Sequence, residues 1–295
     1  MEANDLTATT ELGAKLVRIE FSIGTPAAQL QPVIAGYAAI GVRVLPLAGF
    51  YGTLPTPEQA QNLASWAKAF GPGGSFWANR SDGALAIQSI EFGNETSYGY
   101  QYGDSAESPS YTARAESYAL RLKEAAQAIS STGIKVGLLA QADDWTGTWV
   151  NGMFSSVPNL GSYVAGWTIH PYGTSWESRL QDLLAQTAAH GAPSNIPIDI
   201  TEWGVANDNG HCLSDNDGWN KCMSYEEAAS TLTSTFSGIK RLLGSRFGMF
   251  VLYQVRDQES TGATDNDQLY FGALQHELQT KGAYTTAVET TLADA

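Results

Sequence analysis

A chain of 295 residues with 16 Lys and Arg against 30 Asp and Glu carries a net charge of −14, which excludes nucleic acid as a partner because phosphates call for a basic face. A hydrophobic fraction of 43% beside 16% charged residues describes a substantial core, and no apolar run approaches the roughly 20 residues that span a bilayer. The acidic balance keeps the protein soluble and favours a neutral or cationic ligand.

Leu6 to Lys15 reads as the end of a helix, with Gly13 near its C-terminus, and Leu16 to Phe21 as a strand. A helix follows from Pro26 to Ile40, ended by Gly41, and then the near-continuous apolar strand Val42 to Leu47. Pro57 opens a helix in first-turn form that runs to Phe70. The loop Gly71 to Gly83 leads to a strand beginning at Ile87. Beyond it lie a polar, Tyr-rich loop (Ser97 to Ser110), a helix from Tyr111 to Ser130 and a strand from Ile134 to Ala140. Asp143, Asp144 and Trp145 sit on the next loop, the two aspartates as turn residues. Tyr163 to His170 is a strand, Ser178 to His190 a helix, Ile196 to Gly204 a strand, Tyr225 to Leu243 a helix and Phe247 to Val255 the last strand. Gly282 to Leu292 closes the chain as a helix.

Strands alternating with helices are the signature of parallel βαβ units. No composition shift marks a boundary, so a single domain over 1–295 is expected. The strands number seven, near residues 16, 42, 87, 134, 163, 196 and 247, whereas a closed (β/α) barrel wants eight. We therefore expect a TIM-type (β/α) barrel of parallel strands whose first strand is missing before Met1.

Two strand ends carry the chemistry. Ile87-Gln-Ser-Ile-Glu-Phe-Gly-Asn94-Glu95 halts at a glycine and presents an amide beside a carboxyl, and Ile196-Pro-Ile-Asp-Ile-Thr-Glu202-Trp203-Gly204 repeats the arrangement. In a parallel barrel both ends lie on one face, where two carboxyls can meet. Glycosidic cleavage needs such a pair, one to protonate the leaving oxygen and one to attack or stabilise the anomeric carbon. A lone strand-end Glu is more often structural; the repeat carries the argument. Arg18 and Tyr172 can stabilise a charged Glu202, and Asn94 can bind a sugar hydroxyl. An Arg on an apolar strand also implies a carboxylate partner.

Gly-Asn94-Glu95, His170-Pro-Tyr172 and Thr201-Glu202-Trp203-Gly204 together resemble clan A of the glycoside hydrolases over nearly the whole chain. That resemblance implies retaining (β/α)8 enzymes with Glu95 as acid/base at strand four and Glu202 as nucleophile at strand seven. It further implies Asn94 as the contact to the sugar 2-hydroxyl, Arg18 beside the nucleophile, Tyr172 bonded to Glu202 and His170 lining the site, with a carbohydrate substrate and no cofactor or metal. Thr96 follows the acid/base where the clan often has Pro. Leu252-Tyr253-Gln254 stands where a Trp commonly floors the sugar site, a place Tyr253 can take.

Trp145, Trp149, Trp176, Trp203 and Trp219 follow candidate strands, and their flat faces suit sugar rings as well as ordinary packing; Trp145 and Trp203 are the substrate-contact candidates. Cys212 and Cys222 are the two cysteines. Their spacing is unlike a metal site, which leaves a disulfide or two free thiols, and we expect the disulfide. Met1 to Asp5 lacks a basic start and an apolar core, so the protein is expected either to be secreted, its mature chain beginning here, or to be cytoplasmic. The main expectation is a retaining glycosidase of β-linked sugars; the alternatives are a non-catalytic carbohydrate-binding barrel and a transglycosylase using the same intermediate.

Overall fold

A computed structural model of the protein describes residues 3–98, 109–144, 146–173, 175–212 and 222–294. In chain order its first elements are α1 (Ala3–Glu11), β1 (Leu16–Ser22), α2 (Ala27–Ala39), β2 (Arg43–Gly49), α3 (Pro57–Phe70), β3 (Ser89–Phe92) and α4 (Pro109–Ser131). They continue with β4 (Gly137–Gln141), α5 (Thr148–Ser156), β5 (Gly166–Ile169), α6 (Trp176–Ala189), β6 (Ile198–Trp203), α7 (Tyr225–Leu243), β7 (Phe247–Leu252) and α8 (Ala283–Asp294). Seven strands stand at the seven expected places, and their hydrogen-bonded order is the sequence order.

Local chemistry explains the element bounds. The Thr56 hydroxyl accepts from Gln59 N while the Gln59 side chain reaches back to Thr56 N, and Pro57 fills the first turn of α3. Ser224 and Glu227 make the same reciprocal cap on α7, whose buried Leu232, Phe236 and Ile239 recur at helical spacing. Each such side chain contributes about 1.5–3 kcal/mol on burial. α5 had no counterpart in the sequence reading: a single carboxylate, Asp144, starts it by accepting from Trp149 N (2.6 Å) and Val150 N (3.0 Å). Trp149, Val150, Met153 and Phe154 then anchor this short helix by burial.

The chain divides into two compact units, each assembled from separate stretches. One comprises residues 16–169 and 179–199. Here β1 to β5 pair in parallel, and the register sets Glu20, Leu47, Glu91 and Leu139 side by side. Because successive side chains alternate faces, Arg18 shares the face of Glu20. The other unit comprises residues 1–15, 170–178 and 200–295. In it Tyr253 N donates to Trp203 O (2.8 Å) where β7 runs out, and α7 packs on α8. No helix among the described residues is long and apolar enough to cross a membrane.

Candidate active site

In the first unit the end of β3 is built around Gly93. Its φ of +85° and the 2.4 Å that would separate an added Cβ from Thr96 Cγ2 leave room for glycine alone. The chain turns there and delivers Asn94 and Glu95, both half-buried, with Glu95 itself left-handed at φ +46°. A non-glycine residue held in that conformation costs of order 1–3 kcal/mol and is typical of functional positions. Glu91, fully buried one turn of the pleat earlier, accepts from Arg18 Nε at 2.5 Å, and Arg18 Nη2 donates to Asn94 Oδ1 at 2.7 Å. The Arg18 side chain is 12% exposed.

In the second unit Glu202, near the end of β6, is held by two groups from the stretch after β5. Tyr172 Oη donates to Glu202 Oε1 at 2.9 Å, and His170 Nδ1 lies 3.3 Å from Glu202 Oε2. His170 Nε2 is 3.2 Å from Thr201 Oγ1. The imidazole thus bridges the Glu202 carboxylate and the Thr201 hydroxyl through its two ring nitrogens. The Glu202 side chain keeps 16% of its surface in solvent while that of His170 is sealed. Partners at both oxygens are what a reactive carboxylate needs to be held in one orientation.

Tyr253 is half-buried and packs on Phe271, with ring centroids 5.9 Å apart. Phe271 also meets Tyr172 edge-on at 6.0 Å. Gly204 makes this approach possible, because a Cβ there would stand 2.2 Å from Tyr253 O. Cys212 and Cys222 are joined by a disulfide with Cα atoms 5.6 Å apart, and both belong to the same apolar cluster as Ala206, Tyr270 and Phe271. The bridge therefore stiffens the packing behind Tyr172 and Tyr253.

The tryptophans divide differently from expectation. Trp203 is completely buried against Phe250 at 5.7 Å, so its ring belongs to the core and offers no surface to a ligand. Trp149 is likewise buried and donates to Gln141 O. Trp145 and Trp219 lie outside the described residues.

Three polar groups were missed by the sequence reading. Glu91 is the carboxylate that Arg18 requires; its place four residues before Glu95, between apolar Ile90 and Phe92, was the available signal. Asp143, expected in a turn, is buried against Arg179, and Tyr98 Oη joins them by donating to Asp143 Oδ2 at 2.8 Å and accepting from Arg179 Nη2 at 2.7 Å. Burial alone lowers the Arg179 pKa, but Asp143 and Tyr98 more than reverse this and the net shift is upward. In the second unit Lys281 is fully buried, and its Nζ donates to Asp257 Oδ1 (2.8 Å), Asn207 O (2.8 Å) and Asn207 Oδ1 (2.9 Å). Burial raises the Asp257 pKa to about 6, although Lys281 pulls it down. Burial also lowers the Lys281 pKa, against the pull of Asp257.

Comparisons with known proteins give likeness in fold. The chain aligns over 98% of its length with an α-L-arabinofuranosidase from Thermotoga maritima solved as an arabinose complex, at 14% identity and a TM-score of 0.61. It aligns over 97% with a calcium-binding mutant of Bacteroides uniformis β-glucuronidase 2 at 12% identity and TM-score 0.60. A β-mannanase from Streptomyces thermolilacinus with mannohexaose matches over 99% at 15% identity and TM-score 0.54. The chain spans 31% of that glucuronidase, 63% of the arabinofuranosidase and 85% of the mannanase. No family model matches the sequence, and none of the curated proteins matches it. With the strand order above, these likenesses establish the fold as that of the TIM-type (β/α) barrels on which such glycoside hydrolases are built.

Proposed function

We propose that the protein is a retaining glycoside hydrolase in which Glu202 is the nucleophile and Glu95 the acid/base, acting on a β-linked oligosaccharide or polysaccharide. The observation that carries the reading is Glu202 with one oxygen bonded by Tyr172 and the other facing His170 Nδ1. This arrangement suits a carboxylate that must be aligned for attack. Support also comes from Glu95, which follows β3 in a left-handed conformation beside Asn94. The shared fold with an arabinofuranosidase, a glucuronidase and a mannanase supports glycosides as the substrate class.

In the first step a Glu202 oxygen bonds to the anomeric carbon as the glycosidic C–O bond breaks and the leaving oxygen takes the proton of Glu95. In the second, Glu95 removes a proton from water, which attacks the same carbon and frees Glu202, so the anomeric configuration is retained. A sugar hydroxyl in place of water would give transglycosylation. The Cys212–Cys222 disulfide supports a secreted setting for this chemistry.

Kinetics on a panel of aryl β-glycosides test the assignment. Glu202→Ala is expected to abolish turnover. Glu95→Ala is expected to slow substrates with poor leaving groups far more than activated ones, because only the former depend on its proton. A Glu95→Ala variant that slowed both classes equally would remove the acid/base role.

A further inference from the structure

Glu91 lies beneath Asn94 and is not itself placed to react: it is fully buried, while Asn94 and Glu95 keep part of their surface open. A buried carboxylate is tolerated only with a close cationic partner, and Arg18 Nε supplies it at 2.5 Å. The Nε–H and Nη2–H bonds of a guanidinium point from the same edge in a rigid plane. Anchoring Nε on Glu91 therefore fixes the direction of Nη2, which lands on Asn94 Oδ1 at 2.7 Å.

Arginine can only donate, so the amide of Asn94 must turn its oxygen toward Arg18 and its Nδ2 away. That nitrogen has no hydrogen-bond partner among the described residues. The side chain is thus held as an outward donor of two protons, one residue before Glu95. Without Glu91 the guanidinium loses the carboxylate that holds its Nε, and with it the constraint that decides which end of Asn94 faces out.

We infer that Glu91 is a positioning residue, acting through Arg18 to hold the Asn94 amide with its NH2 presented to an acceptor oxygen of the sugar ring next to the bond being cleaved. The inference rests on the glycosidase reading and deepens it. A hydrogen bond oriented this way is useful when it strengthens as charge develops at the anomeric carbon, so its loss falls on kcat and leaves KM little changed.

The experiment compares aryl β-glycosides carrying a 2-hydroxyl with their 2-deoxy counterparts in wild-type protein, Glu91→Gln and Asn94→Ala. Glu91→Gln is expected to lower kcat for the 2-hydroxy substrate by about 10–100-fold, the range of a hydrogen bond to the 2-hydroxyl that strengthens in the transition state. The 2-deoxy substrate should change by less than about 3-fold, since it lacks the oxygen at issue. Combining the two substitutions should cost little more than either alone. Equal losses on both substrates, or additive losses in the double variant, would overturn the positioning role while leaving the glycosidase reading intact. Absence of any glycoside turnover by the wild-type protein would sink the reading and this inference with it. Should Glu91→Gln fail to fold, Arg18→Lys serves the same purpose: an ammonium keeps the charge beside Glu91 but lacks the fixed fork, so the same selective loss is expected.

Discussion

Each unit contains a trio of one cation, one carboxylate and one asparagine, and the two trios are put to different use. Lys281, Asp257 and Asn207 are all fully buried, and every proton of the ammonium is spent inside the protein. The Asn207 amide nitrogen is spent too, on Val205 O at 2.7 Å. Arg18, Glu91 and Asn94 share the chemistry but are sealed on one side only, and the Asn94 amide nitrogen points out of the trio. A closed trio ties segments together and, being fully buried, shows no surface to a ligand. An open one, with a buried carboxylate as its foundation, presents a donor whose direction the fold has already set. The cost of desolvating charges is present in both; only the second places a polar group where chemistry can use it.

Breaking the closed trio should give the largest effect on stability. Lys281→Met is expected to destabilise the protein by about 3–5 kcal/mol at pH 7, because Asp257 is left charged and buried without its cation. Near pH 5 the loss should shrink, since without Lys281 nothing offsets the upward push of burial on the Asp257 pKa and the carboxyl escapes by taking up a proton. Urea titrations at the two pH values measure this, and an equal loss at both would mean that Asp257 does not titrate as its burial implies.

The next effect concerns the native protein. The Asp257 pKa is raised on folding from 3.8 to about 6. The folded state therefore binds its proton more tightly than the unfolded state does. Its contribution is fully present below about pH 4 and is lost as pH rises through about 6. By linkage the change is about 3 kcal/mol at most. Relative to Asp257→Asn, wild-type stability should fall across that window; parallel profiles would contradict the sealed environment of the carboxyl.

The smallest of these effects belongs to the disulfide behind Tyr172 and Tyr253. Replacing Cys212 and Cys222 by Ala should cost about 2–3 kcal/mol, the chain-entropy value for so short a loop. Differential scanning of the variant checks the size, and alkylation of the unreduced native protein should modify no thiol.

Much of this was legible in the sequence, because the information is local. Apolar runs ending at Gly93 and Gly204 mark strand ends, and Thr56-Pro57 and Ser224 with Glu227 mark helix starts; these signals act within a few residues. Glu202 and its partners His170 and Tyr172 were legible through motif resemblance. What escaped depends on pairing between distant residues. Nothing near Arg18 in sequence says that Glu91 is its partner, or near Lys281 that it finds Asp257 and Asn207. Burial escaped as well: Trp203 reads as a rim aromatic beside Glu202, yet strand alternation and Phe250 put it in the core. α5 was overlooked because Asp144 reads as a turn residue, and its role as a cap emerges only when Trp149 and Val150 curl back onto it.

The central claim is that Glu202 forms a covalent bond to the sugar. Incubation with a 2-fluoro β-glycoside bearing an activated leaving group, followed by intact mass measurement and peptide mapping, tests it directly. The account predicts one added fluoroglycosyl group, on the peptide carrying Glu202, and turnover of ordinary substrates with retained anomeric configuration. A label on another residue, or product of inverted configuration, would contradict it.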